Sequence, residues 1–227
     1  MKYMIKKSHI KLLLFFLNFH FLATFFLSCS QVTPEVISPE YSVIFEYEDE
    51  KSNPKARMSI FVESLTDVNR YERIRVYCEN GGYIWDFNEI ATFTNKNRSW
   101  TGNTNLKMPQ NQIFPSGKYE LIFYNADEKD TSVILNVNYD SSFYKLTSSE
   151  SENLLKNKNA VTKIAVYDKN RTMIYFGEKT SSFKSSTEIW NTFSNAKYYQ
   201  DIIITPENNV MCIMPEKEVS LETQQEN

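Results

Sequence analysis

From Tyr41 onward the chain alternates side chains with a period of two, and few folds satisfy that pattern. Tyr41, Val43, Phe45 and Tyr47 alternate with Ser42, Ile44, Glu46 and Glu48, as in a strand with one buried face. Asp49 to Pro54 reads as a turn, Met58, Ile60 and Val62 as a second strand face, and the stretch around Thr66–Asn69 as a loop. Ile74, Val76 and Cys78 mark a third strand, with Arg73, Arg75 and Tyr77 on its other face. Asn80-Gly81-Gly82 turns the chain. Tyr83–Trp85 and Glu89–Thr94 read as weaker strands. Asn95 to Arg98 reads as loop interrupted by Trp100, and Leu106–Met108 as a short edge strand. Tyr119, Leu121 and Phe123, then Val133, Leu135, Val137 and Tyr139, alternate on either side of the charged turn Asp127–Asp130, which predicts a hairpin.

Seven or eight short strands within about 100 residues are most simply satisfied by two antiparallel sheets face to face. The expected fold class is therefore mainly β, an antiparallel β-sandwich over 41–140. Gly117-Lys118-Tyr119, entering the penultimate strand, resembles the corresponding stretch of immunoglobulin-like and fibronectin-type-III-like sandwiches. That resemblance implies a tyrosine that ties down a crossing loop.

Residues 141–159 lose the period and read as a packed linker. A small α+β unit is expected over 160–215. Val161–Tyr167 and Thr172–Phe176 form two strands, and Ser185 with Glu188 suggests a capping box. Ile189, Phe193 and Ala196 then recur at helical spacing, which predicts a helix over Thr187–Tyr198, followed by strands Asp201–Thr205 and Val210–Met214. Residues 216–227, charged and without aromatics, read as a disordered tail.

Ahead of the body, Lys2, Lys6, Lys7 and Lys11 lead into an apolar run from Leu12 to Leu27, the pattern of an export signal. Its sixteen residues include Asn18 and His20 and fall short of the roughly 20 needed to cross a bilayer. The stretch Phe26-Leu27-Ser28-Cys29 resembles a bacterial lipobox, in a relaxed form similar to that of spirochaete lipoproteins. Phe26 and Ser28 depart from the strictest form of the motif. The resemblance implies that 1–28 are a signal peptide, that Cys29 is acylated and becomes the first mature residue, and that 29–40 are a lipidated tether. The implied partner is the lipid bilayer, and the implied place is the bacterial cell envelope, on an outer membrane facing the periplasm or the cell surface. A retained anchor and a plain secreted protein are the alternatives.

Composition then excludes several function classes. Four of the 25 basic residues and none of the 28 acidic ones lie in 1–28, so residues 29–227 carry 21 against 28, a net charge of −7. That disfavours nucleic acid as a partner. Both histidines, His9 and His20, precede Cys29, so the mature chain has no histidine for a nucleophile system or a zinc site. Cys78 and Cys212 are permitted a disulfide in an oxidising compartment; two separate buried thiols are the alternative. Neither an EF-hand spacing nor a phosphate-cradling glycine loop occurs, and no cofactor is implied.

Candidate binding residues are the aromatics Tyr83, Trp85 and Trp100, with Phe87 and Phe93, for a sugar or protein partner. Filling of the core by the tryptophans is the competing reading. Arg73 and Arg75 form a stripe for an anionic group, or else the solvated side of a strand balanced by neighbouring acids. The leading expectation is a noncatalytic binding or structural module with an envelope protein or glycan partner. The alternatives are a carboxylate-dependent hydrolase of cell-wall glycan, for which Glu63, Asp67, Asp86 and Glu89 are the nearby acids, and an assembly subunit joined through a sheet edge.

Overall fold

The computed structural model describes residues 33–109 and 112–220. Cys29, the 1–28 segment and the tail end 221–227 lie outside the described residues. The alternating stretches form strands. Strand β1 (Val36–Glu46) pairs antiparallel with β2 (Lys55–Ser64), so that Val43 stands opposite Met58 and Phe45 opposite Ala56. β1 begins well before Tyr41, which shortens the expected tether. Its register slips between Ile37 and Glu40, where Ser38 has a φ of 49°. Such a bulge accommodates Pro39, which has no N–H to give to a ladder.

β3 (Tyr71–Cys78) pairs with β4 (Tyr83–Phe87) as expected. β5 (Ala91–Asn95) and β6 (Arg98–Leu106) then form a tight hairpin with Lys96 and Asn97 at φ 47° and 63°, the both-positive geometry of a two-residue type I′ turn. This corrects the reading of a loop interrupted by Trp100 and of an edge strand at Leu106–Met108. β6 is one long strand between β2 and β5. Its polar sequence hid it: Thr101 and Asn103 are buried, and Asn103 Nδ2 donates to Glu89 O at 3.0 Å. The predicted hairpin of β7 (Gly117–Asn125) and β8 (Asp130–Val137) is present.

Beyond residue 140 the chain makes a 3-10 turn (Ser141–Lys145) and helix α1 (Ser148–Lys156), capped by Thr147 and Glu150. β9 (Val161–Asp168) and β10 (Met173–Glu178) follow. Helix α2 (Ser186–Thr192) carries the expected Ser185/Glu188 capping box but ends earlier than predicted. The chain turns through an Ala196 N–H bond to Phe193 O, and Ala196 starts β11 (Ala196–Ile204). β12 (Val210–Ile213) pairs with β11, and so does β13 (Lys217–Glu218). The segment read as a tail from 216 is therefore ordered at its start. Its backbone pairs with Tyr198 and Tyr199, and Val219 is buried beside Ile189 and Ile164. The two charged residues before it keep their side chains exposed while their backbone is paired.

The architecture is mainly β: two sheets with two short helices. The larger sheet runs β10-β9-β11-β12-β1-β2-β6-β5, with β13 beside β11, and the smaller runs β4-β3-β7-β8. β12 lies parallel to β1, Val43 opposite Val210 and Phe45 opposite Cys212. One sheet thus continues across the expected division at 141–159, and the described residues from Pro34 on form one compact unit. The main core joins Val43, Phe45, Met58 and Ile60 of the large sheet to Ile74, Val76, Leu121 and Phe123 of the small one, with Ile203 and Cys212 from the later strands.

The segment that crosses from β6 to β7 is tied by tyrosine hydroxyls. Tyr119 donates to Pro115 O at 2.8 Å and Tyr139 to Phe114 O at 2.7 Å, while Tyr144 Oη accepts from Phe114 N at 3.2 Å. Tyr83 adds a bond to Gln112 Oε1 at 2.7 Å, and Asn80 Nδ2 holds Ser116 O at 2.7 Å. Burial pushes the Tyr119 and Tyr139 hydroxyls far above their ordinary range, so they remain protonated donors. Gly117 is required beside them: its φ is +135°, and a Cβ there would lie 2.3 Å from Asn80 Nδ2. A tyrosine tying a crossing loop is what the Gly117-Lys118-Tyr119 resemblance implies. Tyr119→Phe keeps the ring and removes one donor to a half-buried carbonyl. It is expected to lower stability by about 1–2 kcal/mol, read as an earlier urea midpoint with an unchanged slope; an unmoved midpoint would show that the tie is not needed.

Candidate functional site

The structure does not bring the sequence-predicted aromatics into one patch. Tyr83 and Trp85 sit on the inward face of β4. Trp85 stacks near Tyr119 at 6.3 Å and 17°, lies 6.2 Å from Phe114, and donates Nε1–H to Lys107 O at 2.8 Å. Both rings pack against the main core. Trp100 belongs to the other sheet and is only 8% exposed. The competing expectation, tryptophans used as core, describes Trp85, which is partly buried against the main core, whereas Trp100 is buried on the outward face beside Phe93 and outside the main core.

Arg73 and Arg75 share the outward face of the small sheet with Asp86, which stands opposite Arg75 in the β3–β4 register. Arg75 binds both Asp86 carboxylate oxygens, at 2.8 and 3.1 Å. Arg73 reaches Glu128 at 2.8 Å and lies over the Tyr124 ring at 3.8 Å. The hydrogen bonds from Arg75 hold the Asp86 carboxyl below the usual carboxylate range. These arginines are balanced by acids and offer no free stripe for an anion. The other acids named with the aromatics are also placed. Glu63 faces Arg98 at 3.3 Å, Asp67 caps the 3-10 turn at Val68–Arg70, and Glu89 accepts from Asn103 through its backbone.

Cys78 and Cys212 are both buried and not joined by a disulfide, the arrangement of the alternative reading, two separate buried thiols. Cys78 sits on β3 of the small sheet and donates to Asn80 O, whereas Cys212 sits on β12 of the large one. Each fills a core position as a small apolar residue. Burial pushes the Cys212 thiol up to about 12.

A different grouping does form a cleft, of about 290 Å³, on the outward face of the large sheet. β1 contributes Glu40 and Ser42, and β2 contributes Ser59 and Phe61 from directly opposite positions. Phe93 comes from β5, and Glu207 and Asn208 from the β11–β12 turn. Phe93 is 46% exposed, lies parallel to its cross-strand partner Trp100 (6.2 Å, 7°), and meets Phe61 edge-on at 5.0 Å. Ser42 Oγ donates to Asn208 O, which pins the turn against β1, and Asn208 itself has a φ of 58°. The Phe61 ring lies over Gly102, its partner in the β2–β6 register; a Cβ there would be 2.0 Å from Ile60 O and 2.7 Å from Phe61 Cδ1. Sequence reasoning named Phe93 but missed Phe61, Ser42 and Ser59. The signal was a phenylalanine on the polar side of the Met58–Val62 alternation.

Among the described residues, no three His, Cys, Asp or Glu side chains converge to hold a metal ion, and no helix is long and apolar enough to cross a membrane. Compared with known proteins, the chain matches no protein family, no curated protein and no solved structure.

Two outcomes test this arrangement. Gly102→Ala should destabilise the fold by about 1–3 kcal/mol through overpacking, seen as a lower melting temperature. Cys78 and Cys212 should resist a thiol-reactive disulfide reagent at pH 8 in the folded protein and both react once guanidinium unfolds it. Rapid modification of the folded protein would contradict their burial.

Proposed function

We propose that this protein is a lipid-anchored envelope protein whose two-sheet body is a noncatalytic binding module, and that the Phe93 cleft recognises a glycan. The observation that carries this reading is the flat, half-exposed Phe93 ring, parallel to its neighbour Trp100, in a cleft that Ser42, Ser59, Glu40, Glu207 and Asn208 also line. A sugar ring presents an apolar C–H face with a rim of hydroxyls. A rigid aromatic with hydrogen-bonding groups around it is complementary to that surface. Two carboxylates at the rim favour neutral or amino sugars over acidic ones.

Anchoring rests on the resemblance of Phe26-Leu27-Ser28-Cys29 to a lipobox, with acyl chains on Cys29 supplying the membrane affinity. The immunoglobulin-like reading of 41–140 belongs to the same proposal. The Tyr119–Pro115 tie favours it, whereas the parallel β12 beside β1 departs from a sandwich of two antiparallel sheets. The shared outlook of Glu40 and Glu207 on one cleft favours a second reading, a carboxylate-dependent glycan hydrolase.

Three measurements test these readings. Radiolabelled palmitate should enter the natural chain and not Cys29→Ala; equal labelling would sink the anchor. Phe93→Ala should weaken retention on purified cell-wall glycan about tenfold or more with an unchanged circular dichroism spectrum, and unchanged retention would remove the cleft from recognition. Release of reducing sugar by the natural protein, lost in Glu40→Gln or Glu207→Gln, would instead establish the hydrolase.

A further inference from the structure

A second cavity, of about 700 Å³, opens where the β2 start, the chain after β6 and the 3-10 turn Ser141–Lys145 come together. It carries the opposite charge from the Phe93 cleft. Lys55, Arg57, Lys107 and Lys145 line it against a single carboxylate, Glu46. That concentration stands out in a chain whose formal net charge is −3. Two of the cations are occupied: Arg57 Nε binds Glu46 at 2.8 Å, and Lys55 pairs with Glu48 outside the cavity. Among the described residues, neither Lys107 nor Lys145 has a carboxylate at ion-pair distance.

The rest of the wall is mixed, with Asn53 and Gln112 beside an apolar portion. Met108 and Ile113 line it, and Ile113 is 46% exposed. The volume falls in the range of small-molecule sites, which are typically part apolar with a few convergent polar groups. Lysine is a point charge suited to holding phosphate or carboxylate. Two points of the wall are tied down: Trp85 Nε1 donates to Lys107 O, and Tyr144, next to Lys145, packs edge-on against buried Phe45 at 5.1 Å.

We infer that this cavity binds a small soluble anion with an apolar body, its phosphate or carboxylate taken by Lys107 and Lys145 and its body lying against Met108 and Ile113. A half-enclosed volume of this size favours a compact ligand over an extended acidic chain. The inference stands apart from the Phe93 cleft, with which it shares no residue.

The test uses the full chain in phosphatidylcholine nanodiscs at low salt, titrated calorimetrically with phenyl phosphate, inorganic phosphate and phenol. Phenyl phosphate should bind at least tenfold more tightly than either of the others. Its affinity should fall at least tenfold in Lys107→Gln/Lys145→Gln and several-fold in Ile113→Gln, with near-ultraviolet circular dichroism confirming that both variants fold. Raising the salt to 0.5 M should weaken it as well. Phe93→Ala should leave it unchanged.

Equal binding by the natural and doubly substituted chains would overturn the site, and so would no binding of phenyl phosphate. Inorganic phosphate binding as tightly as phenyl phosphate would overturn the apolar half of the assignment. If phenyl phosphate fails while phosphatidylglycerol discs protect Lys107 and Lys145 from acylating reagents, the occupant is a membrane surface and the soluble-ligand inference falls.

Discussion

The crossing from β6 to β7 is the constraint on which the body depends. It carries the chain from one sheet to the other, and at Phe114 it enters the core between the layers. Phe114 is buried there, and an unpartnered carbonyl beside it would cost about 1–3 kcal/mol. Tyrosine solves the difficulty: the ring joins the apolar core while the hydroxyl reaches the backbone. Tyr119 on β7, Tyr139 just after β8 and Tyr144 in the following turn all converge on two adjacent residues, Phe114 and Pro115. Since each comes from a different part of the chain, the spacing between the sheets, the path of the crossing and the seat of the 141–145 turn are set together.

The parallel pairing of β12 with β1 has a comparable reach. It places Cys212 opposite Phe45 and so extends one core from the first strand to nearly the last. Tyr47, just past β1, shares a buried hydroxyl contact with Ser151 of α1 at 2.5 Å, which brings that helix onto the same layer. The later strands are thereby built into the fold formed by the earlier ones. A β-β-α-β-β unit of that size would be marginal alone; here it borrows the first strand as its neighbour.

Much of this was legible in the residues. Period-two runs located β1, β2, β3, β7 and β8, because each has one wet and one dry face, and Ser185 with Glu188 located the start of α2. What escaped notice had no such contrast. β6 buries Thr101 and Asn103 and therefore reads as polar loop, although Asn103 finds its partner in a backbone carbonyl. Ile189, Phe193 and Ala196 fit a helix by spacing, yet the last belongs to a strand. The parallel β1–β12 pair could not be inferred, since periodicity fixes which face is buried but not which strand lies alongside. The Phe93 cleft was half visible: Phe93 was named, but its companions come from three other places in the chain and only the sheet register assembles them.

The early start of β1 also fixes a length. Backbone pairing reaches back to Glu35, whose carbonyl accepts from Leu65 N, and β1 proper begins at Val36. With Cys29 as the proposed mooring point, seven peptide steps separate it from the first paired strand, which stretched taut span about 25 Å. A leash that short is less than the thickness of the bilayer it would hang from. The body would ride against the headgroups and meet partners that come to that surface, with no reach to search the space beyond.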